Sequence, residues 1–262
     1  MRYVLRRAGF LLFTGWAALT INFILPHLMP GDPAQVMIAK FQGRLSPQAL
    51  DALSAAFGLN TKKSLLLQYF EYWKRMLTGD FGISLTYYPS QVKEVLAQSM
   101  PWTIGLVGAG TVIAFAVGTL CGILSAWKRN SAIADAVVPV SLFFNSVPYF
   151  WLSLLSLYLF GYVLGWFPIG GGYDVFAATS GLAAVSSVVY HAILPLGTIV
   201  ITASGGWLLT MRNNMMSVRA DDYITFAHAK GLPDREIMFR YAARNAILPS
   251  FTGFSMALGF VI

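Results

Sequence analysis

One cysteine, three histidines and eleven acidic residues are all that 262 positions offer to the commonest kinds of site chemistry. The cysteine, Cys121, lies inside an apolar run, so no intrachain disulfide can form and no redox compartment follows. His27, His191 and His228 belong to no Cys/His cluster, which argues against a metal site, and no cofactor is expected. The chain has no Gly-x4-Gly-Lys-Ser/Thr loop, so it carries no nucleotide site of that kind. Gly170-Gly171-Gly172 lacks the lysine and the helix start of a phosphate loop and reads as a flexible turn. Charged residues make up only 11% against 56% hydrophobic, which excludes an ordinary soluble domain. The net charge of +7 raises nucleic acid as a partner, but the basic residues flank apolar runs. Orientation in a membrane accounts for them, and no nucleic acid is expected.

What is present is a set of apolar runs near the roughly 20 residues that cross a bilayer. Residues 1–28 open with Arg2, Arg6 and Arg7 before a long apolar stretch without a small-x-small cleavage site. This predicts a retained first span with a cytoplasmic N-terminus. Further spans are predicted over about 103–127, 136–165, 191–211 and 246–262. The last holds ~17 residues, about 25 Å of helix against a core of about 30 Å, so a span cut short is expected there, with a sixth not visible. Arg2, Arg6, Arg7, Lys128, Arg129, Arg212, Arg219, Lys230, Arg235, Arg240 and Arg244 all fall on one side. The other cationic residues lie in 29–100, a loop long enough to escape the positive-inside rule. The expected fold is an all-α, polytopic bundle of five visible spans, its transmembrane core covering 101–262, with a small extracytoplasmic helical subdomain over 29–100. In that subdomain, helices are predicted over 46–58, about 64–79 and 90–100.

Two features speak of packing and of a path. Gly110, Ala114, Gly118, Gly122 and Ala126 recur every four residues, a small-residue stripe that lets a neighbouring helix approach closely. The 136–165 span is longer than needed, so it is tilted or broken, with Pro139 and Pro148 the break points. Asn145 and Ser146, just before Pro148, either line a water-filled path or simply hold the bundle by interhelical hydrogen bonds.

The stretch most unlike its surroundings runs from Asp221 to Pro233, within a cytoplasmic loop at about 212–245. Asp221 and Asp222 supply an N-cap and first-turn negative charge. Gly231 sits where a left-handed stop is needed, Leu232 follows as its apolar partner, and Pro233 blocks continuation. A second helix is expected over 234–245. By local pattern alone this is either a capped connection at a membrane surface or a shape for passing force to a partner.

Tyr223…Ala227-x-Ala229-Lys230-Gly231-Leu232…Arg240…Asn245-Ala246-x-Leu248-Pro249 resembles the coupling loop of ABC-importer permeases of the dipeptide/oligopeptide/nickel family. Thr225 stands where the general importer motif has glutamate, and the stretch from Gly231 to Leu248-Pro249 is longer, both usual in the peptide branch. Pro30-Gly31-Asp32-Pro33, Phe57-Gly58-Leu59, Gly79-Asp80-Phe81-Gly82-x-Ser84 and Trp166-x-Pro168-x-Gly170-Gly171 are similar to the same family. After Gly58-Leu59 the chain departs from it, with Asn60-Thr61-Lys62-Lys63.

The resemblance implies a multi-pass subunit of a bacterial-type inner membrane that hydrolyses nothing itself. It implies a second permease, two cytoplasmic ATPase subunits and an extracytoplasmic binding protein as partners, besides membrane lipid, with di- or oligopeptide as cargo moved by alternating access. The ATPases would meet a loop helix containing Asp222, Tyr223, Ala227, Ala229, Lys230, Gly231 and Leu232. A secondary transporter or channel would need an intramembrane charge, and an intramembrane enzyme a Ser/His, paired-Asp or metal arrangement within the spans. The predicted spans contain neither.

Overall fold

The computed structural model describes residues 2–28, 63–84, 86–128, 131–174 and 181–261. The predicted helix over 46–58 lies outside them. The described residues form helices and one isolated bridge, Ile83 with Gln91, and divide into two compact units, 1–99 and 100–262. The chain is thus all-α. Among the described residues, three helices are long and apolar enough to cross a membrane, or four if one bent pair counts as a span.

In the first unit, α1 (Arg2–Leu28) buries no residue, as suits a helix whose solvent is hydrocarbon. Helix α2 (Leu65–Thr78) follows Ser64 and stops at Gly79, whose φ of 71° only glycine adopts without strain. It rests on the C-terminal half of α1. Thr20 Oγ1 lies 2.8 Å from Tyr69 OH, Phe23 packs edge-on against Tyr69 at 5.3 Å, and His27 Nε2 is 3.3 Å from Gln68 Oε1.

Helix α3 (Val92–Trp127) joins into one rod the helix expected over 90–100 and the span expected from 103. Pro101 lies inside it. A proline there removes one i→i−4 bond, which this long helix absorbs without ending. In the second unit, α4 (Ala132–Ser146) follows, its first turn capped by Ser131 Oγ accepting from the Ala134 N–H at 3.2 Å. The long span is broken, as expected, but at one proline. Pro139 stays within α4, while Pro148 forces Val147 into an extended conformation (ψ 127°) before α5 (Tyr149–Ser156) begins. A π-helical segment, Leu157–Val163, continues α5, and the two arms of the break differ in direction by 97°.

Helix α6 (Leu182–Val218) corrects two expectations. The turn expected over 166–190 ends at Gly181, because 182–190 contains neither glycine nor proline and winds into the span. Nor does the helix close at Arg212; it runs on to Val218. Helix α7 (Asp222–Ala229) is next. The segment expected as a separate helix over 234–245 is instead continuous with the last span: α8 (Asp234–Glu236), a π segment Ile237–Ala243, and α9 (Arg244–Gly259).

Helix α6 is the hub. Gly118 of α3 lies so close to it that an added Cβ would collide with the Ser204 carbonyl oxygen and stand 2.7 Å from Trp207 Cβ. On its other side, a Cβ on Gly205 would collide with the Ser141 carbonyl oxygen of α4 and stand 2.8 Å from Asn145 Cβ. Ser153 Oγ of α5 donates to Thr198 Oγ1 at 2.9 Å. Asn214 Nδ2 donates to the Ala246 carbonyl at 3.0 Å and to Ser250 Oγ at 3.2 Å, fastening α9. The main apolar core does not sit midway along the spans. It gathers at one end of them, where Ile123, Ala126, Met211, Met215, Ile237 and Ala242 enclose the inner face of α7.

Candidate functional site

Helix α7 has the bounds its punctuation predicts. Asp221 occupies the N-cap in extended conformation (ψ 144°), although its carboxylate makes no capping hydrogen bond; its contribution is charge near the helix start. At the other end the Leu232 N–H donates to the Ala227 carbonyl at 3.4 Å and the Gly231 N–H to that of His228 at 2.9 Å. With Gly231 at φ 73° this is a Schellman stop, and Leu232 packs on the same cluster as Ala227.

The helix has two unlike faces. Ile224 and Ala227, three residues apart, are 3% and 2% exposed and anchor it in the core at the ends of α3 and α6. Ala227 was expected on the face offered to a partner beside Ala229. It lies instead within this chain's own packing, because position 227 shares a stripe with 224. Asp222, Tyr223, Phe226, Ala229 and Lys230 are exposed. Phe226 stands out at 62% exposed, with the Lys230 ammonium 4.7 Å above its ring. Sequence reasoning passed over Phe226, since an aromatic residue in a short helix reads as core; only the inward stripe at 224 and 227 reveals that it points away.

Two ties fix α7 to the spans, and a third, from Arg219, joins the ends of α6 and α3 beside it. Tyr223 OH accepts from Asn245 Nδ2 at 3.0 Å, joining two residues of the motif quoted above; the same Nδ2 donates to the Tyr241 carbonyl at 3.0 Å. His228 stacks on Trp127, the last residue of α3, with centroids 6.3 Å apart and planes 18° apart. Arg219 Nη1 donates to the Ala126 carbonyl at 2.7 Å and the Trp127 carbonyl at 3.4 Å, while its guanidinium lies 5.0 Å from the Trp127 ring centre. A cation there satisfies carbonyls that the helix end leaves open and complements the negative end of its dipole. Arg219 had been counted only as a marker of sidedness. Only the extension of α6 to Val218 brings it to a helix end, so the predicted span end at 211 gave no signal for it.

The other expected residues fall elsewhere. Gly110, Ala114, Gly118, Gly122 and Ala126 all lie buried on one face of α3. Those at 110, 118 and 122 sit against Ile199, Ser204 to Leu208, and Leu208 to Arg212 of α6 respectively. Asn145, Ser146 and Pro148 cluster at the α4–α5 bend and are exposed on this chain. Ser146 Oγ donates back to the Leu142 carbonyl at 2.9 Å, and the Cβ of Asn145 is part of the close α4–α6 contact.

Comparison with known proteins gives the family of the chain. Residues 118–262 match the family described as binding-protein-dependent transport system inner membrane component. A di/tripeptide transport system permease protein of Pseudomonas aeruginosa is 32% identical over 99% of this chain and 80% of its own length. A dipeptide transport system permease protein of Lactococcus lactis is 32% identical over 96% of this chain and 76% of its own. An oligopeptide transport system permease protein of Salmonella typhimurium is 30% identical over 95% and 75%.

Proposed function

The chain belongs to the family of binding-protein-dependent transport system inner membrane components, and from that premise we propose that it forms half of the pore of an ATP-driven importer of di- or oligopeptides. The similar proteins named as di/tripeptide, dipeptide and oligopeptide permeases support the cargo. A second, related permease completes the pore. An extracytoplasmic binding protein delivers peptide on the side of residues 29–100, and the N-terminus lies in the cytoplasm, a reading that the arginine and lysine distribution supports. Two ATPase subunits dock on α7.

The two-faced build of α7 carries this reading. A helix that only connected two spans would need its inner face. This one also holds an aromatic ring and a cation outward on a backbone that a Schellman stop and the Tyr223–Asn245 bond hold in place. ATPase closure pushes the outer face of α7. The inner face moves the ends of α3 and α6 with it, because Ile224 and Ala227 share one packed cluster with Ile123, Ala126, Met211 and Met215. Reorientation of those spans opens the pore alternately to either side.

The test is Ala229→Trp. Ala229 is exposed, so the larger ring leaves the chain's own packing intact and obstructs a partner's groove. Loss of co-purifying ATPase and at least a tenfold drop, about 1.4 kcal/mol, in uptake of a labelled peptide is the expected outcome. Retention of both refutes docking at α7.

A further inference from the structure

At the end of α3 an open cleft of ≈ 600 Å³ lies between that helix, the end of α6 and α7. Lys128, Arg219 and Arg235 line it from three different elements, and among the described residues Asp234 is the carboxylate on its wall. Asp234 faces His228 at 3.8 Å. Three cations sharing one open cleft give it a net positive potential that attracts an anion. Arg219 anchors the arrangement. Its two hydrogen bonds to α3 use Nη1 alone, and a guanidinium has five N–H donors.

The cleft also has an apolar approach. Leu124 and Phe239 stand on its rim, and above Leu124 the residues Ile113, Val117 and Leu120 are all exposed at helical spacing. They form a seam along α3 that ends at Trp127 and Lys128, a pairing suited to the membrane surface.

We infer that this cleft binds the phosphate of an anionic phospholipid, whose acyl chains lie along the Ile113–Leu124 seam. The inference rests on the membrane topology of the importer reading. A lipid held there bridges α3 and the coupling helix, so the charge of the inner leaflet bears on the joint between them.

The experiment uses the detergent-extracted protein with its co-purifying subunits. It is delipidated, then titrated with phosphatidylglycerol or with phosphatidylcholine of the same chains, and retained lipid is counted by native mass spectrometry. The native chain should retain phosphatidylglycerol in preference. Lys128→Gln/Arg235→Gln should bind it about tenfold or more weakly, while Lys128→Arg/Arg235→Lys keeps the preference. Leu120→Ser/Leu124→Ser should weaken lipid retention, and millimolar inorganic phosphate should not displace the lipid. Equal retention by native chain and Gln variant overturns the inference. Ready displacement by phosphate with no effect of the seam variant overturns it in favour of a soluble phosphate compound. Loss of ATPase co-purification in the Gln variant without any lipid preference in the native chain overturns it in favour of a protein-docking surface. Peptide uptake by the native chain reports on the importer reading separately.

Discussion

Gly118→Ala adds one methyl group at the point where α3 and α6 touch backbone to backbone. The new carbon would overlap the Ser204 carbonyl oxygen, stand 2.7 Å from Trp207 Cβ and 3.1 Å from the Leu208 amide nitrogen. None of these is the movable tip of a flexible side chain, so relief requires the helix axes to part. Carbon atoms are comfortable at about 3.5–4 Å, so the axes must separate by roughly 1 Å. Overpacking of this kind costs about 1–3 kcal/mol, against which the better helix propensity of alanine returns up to about 1 kcal/mol. The net expectation is a loss of about 0–2 kcal/mol, which at roughly 2–4 °C per kcal/mol lowers the melting temperature by up to about 8 °C. Gly197→Ala is the control. It lies in α6, its Cβ would meet nothing within 4 Å, and only the propensity gain applies. Thermal unfolding of the detergent-solubilised protein, followed by tryptophan fluorescence, should therefore place Gly118→Ala below Gly197→Ala by about 1–3 kcal/mol. Equal melting temperatures for the two would refute the claim that the small-residue stripe sets the helix approach.

Three further outcomes are expected. In a Cys121→Ala background, Thr78→Cys should react with a membrane-impermeant thiol reagent in intact cells and Ser217→Cys should not; the reverse pattern inverts the orientation. Trp127→Leu removes both the His228 stack and the Arg219 contact, so ATPase should still co-purify while peptide moved per ATP hydrolysed falls, and Trp127→Phe should recover most of it; an unchanged ratio in Trp127→Leu removes that residue from the force path. A Cβ on Gly231 would meet nothing within 4 Å, so the cost of Gly231→Val, about 1–2 kcal/mol, is set by the left-handed backbone and should appear as uncoupling without loss of expression.

Features written in short-range chemistry were legible before the structure. The bounds of α7 follow from Asp221, Gly231 and Pro233, and the buried face of α3 from a four-residue recurrence, because caps and helical periodicity act within a few residues. Features decided by tertiary contact were not. Whether Ala227 or Phe226 faces the chain's own core depends on where Met211, Met215 and Ile237 come to rest, which no local pattern states. Pro101 and Pro148 carry the same residue type, yet one is absorbed in α3 and the other breaks the chain by 97°. Gly205 falls inside the predicted 191–211 span with nothing in the sequence to mark it. Its partner contact on α4 involves Ser141 and Asn145, distant in sequence and marked by no repeat.

Helix α6 meets α3 and α4 most closely at one level, at Gly118 of α3 near Ser204 and at Ser141 of α4 near Gly205. That level makes a fulcrum, and it is off-centre. The arm from Gly205 to Leu182 is about 35 Å and the arm to Val218 about 20 Å, at roughly 1.5 Å per residue. A tilt of about 5° around this point displaces the short arm by about 1.7 Å and the long arm by about 3 Å. If force enters at the α7 end, as the importer reading proposes, a small stroke there would be magnified nearly twofold at the opposite end of α6.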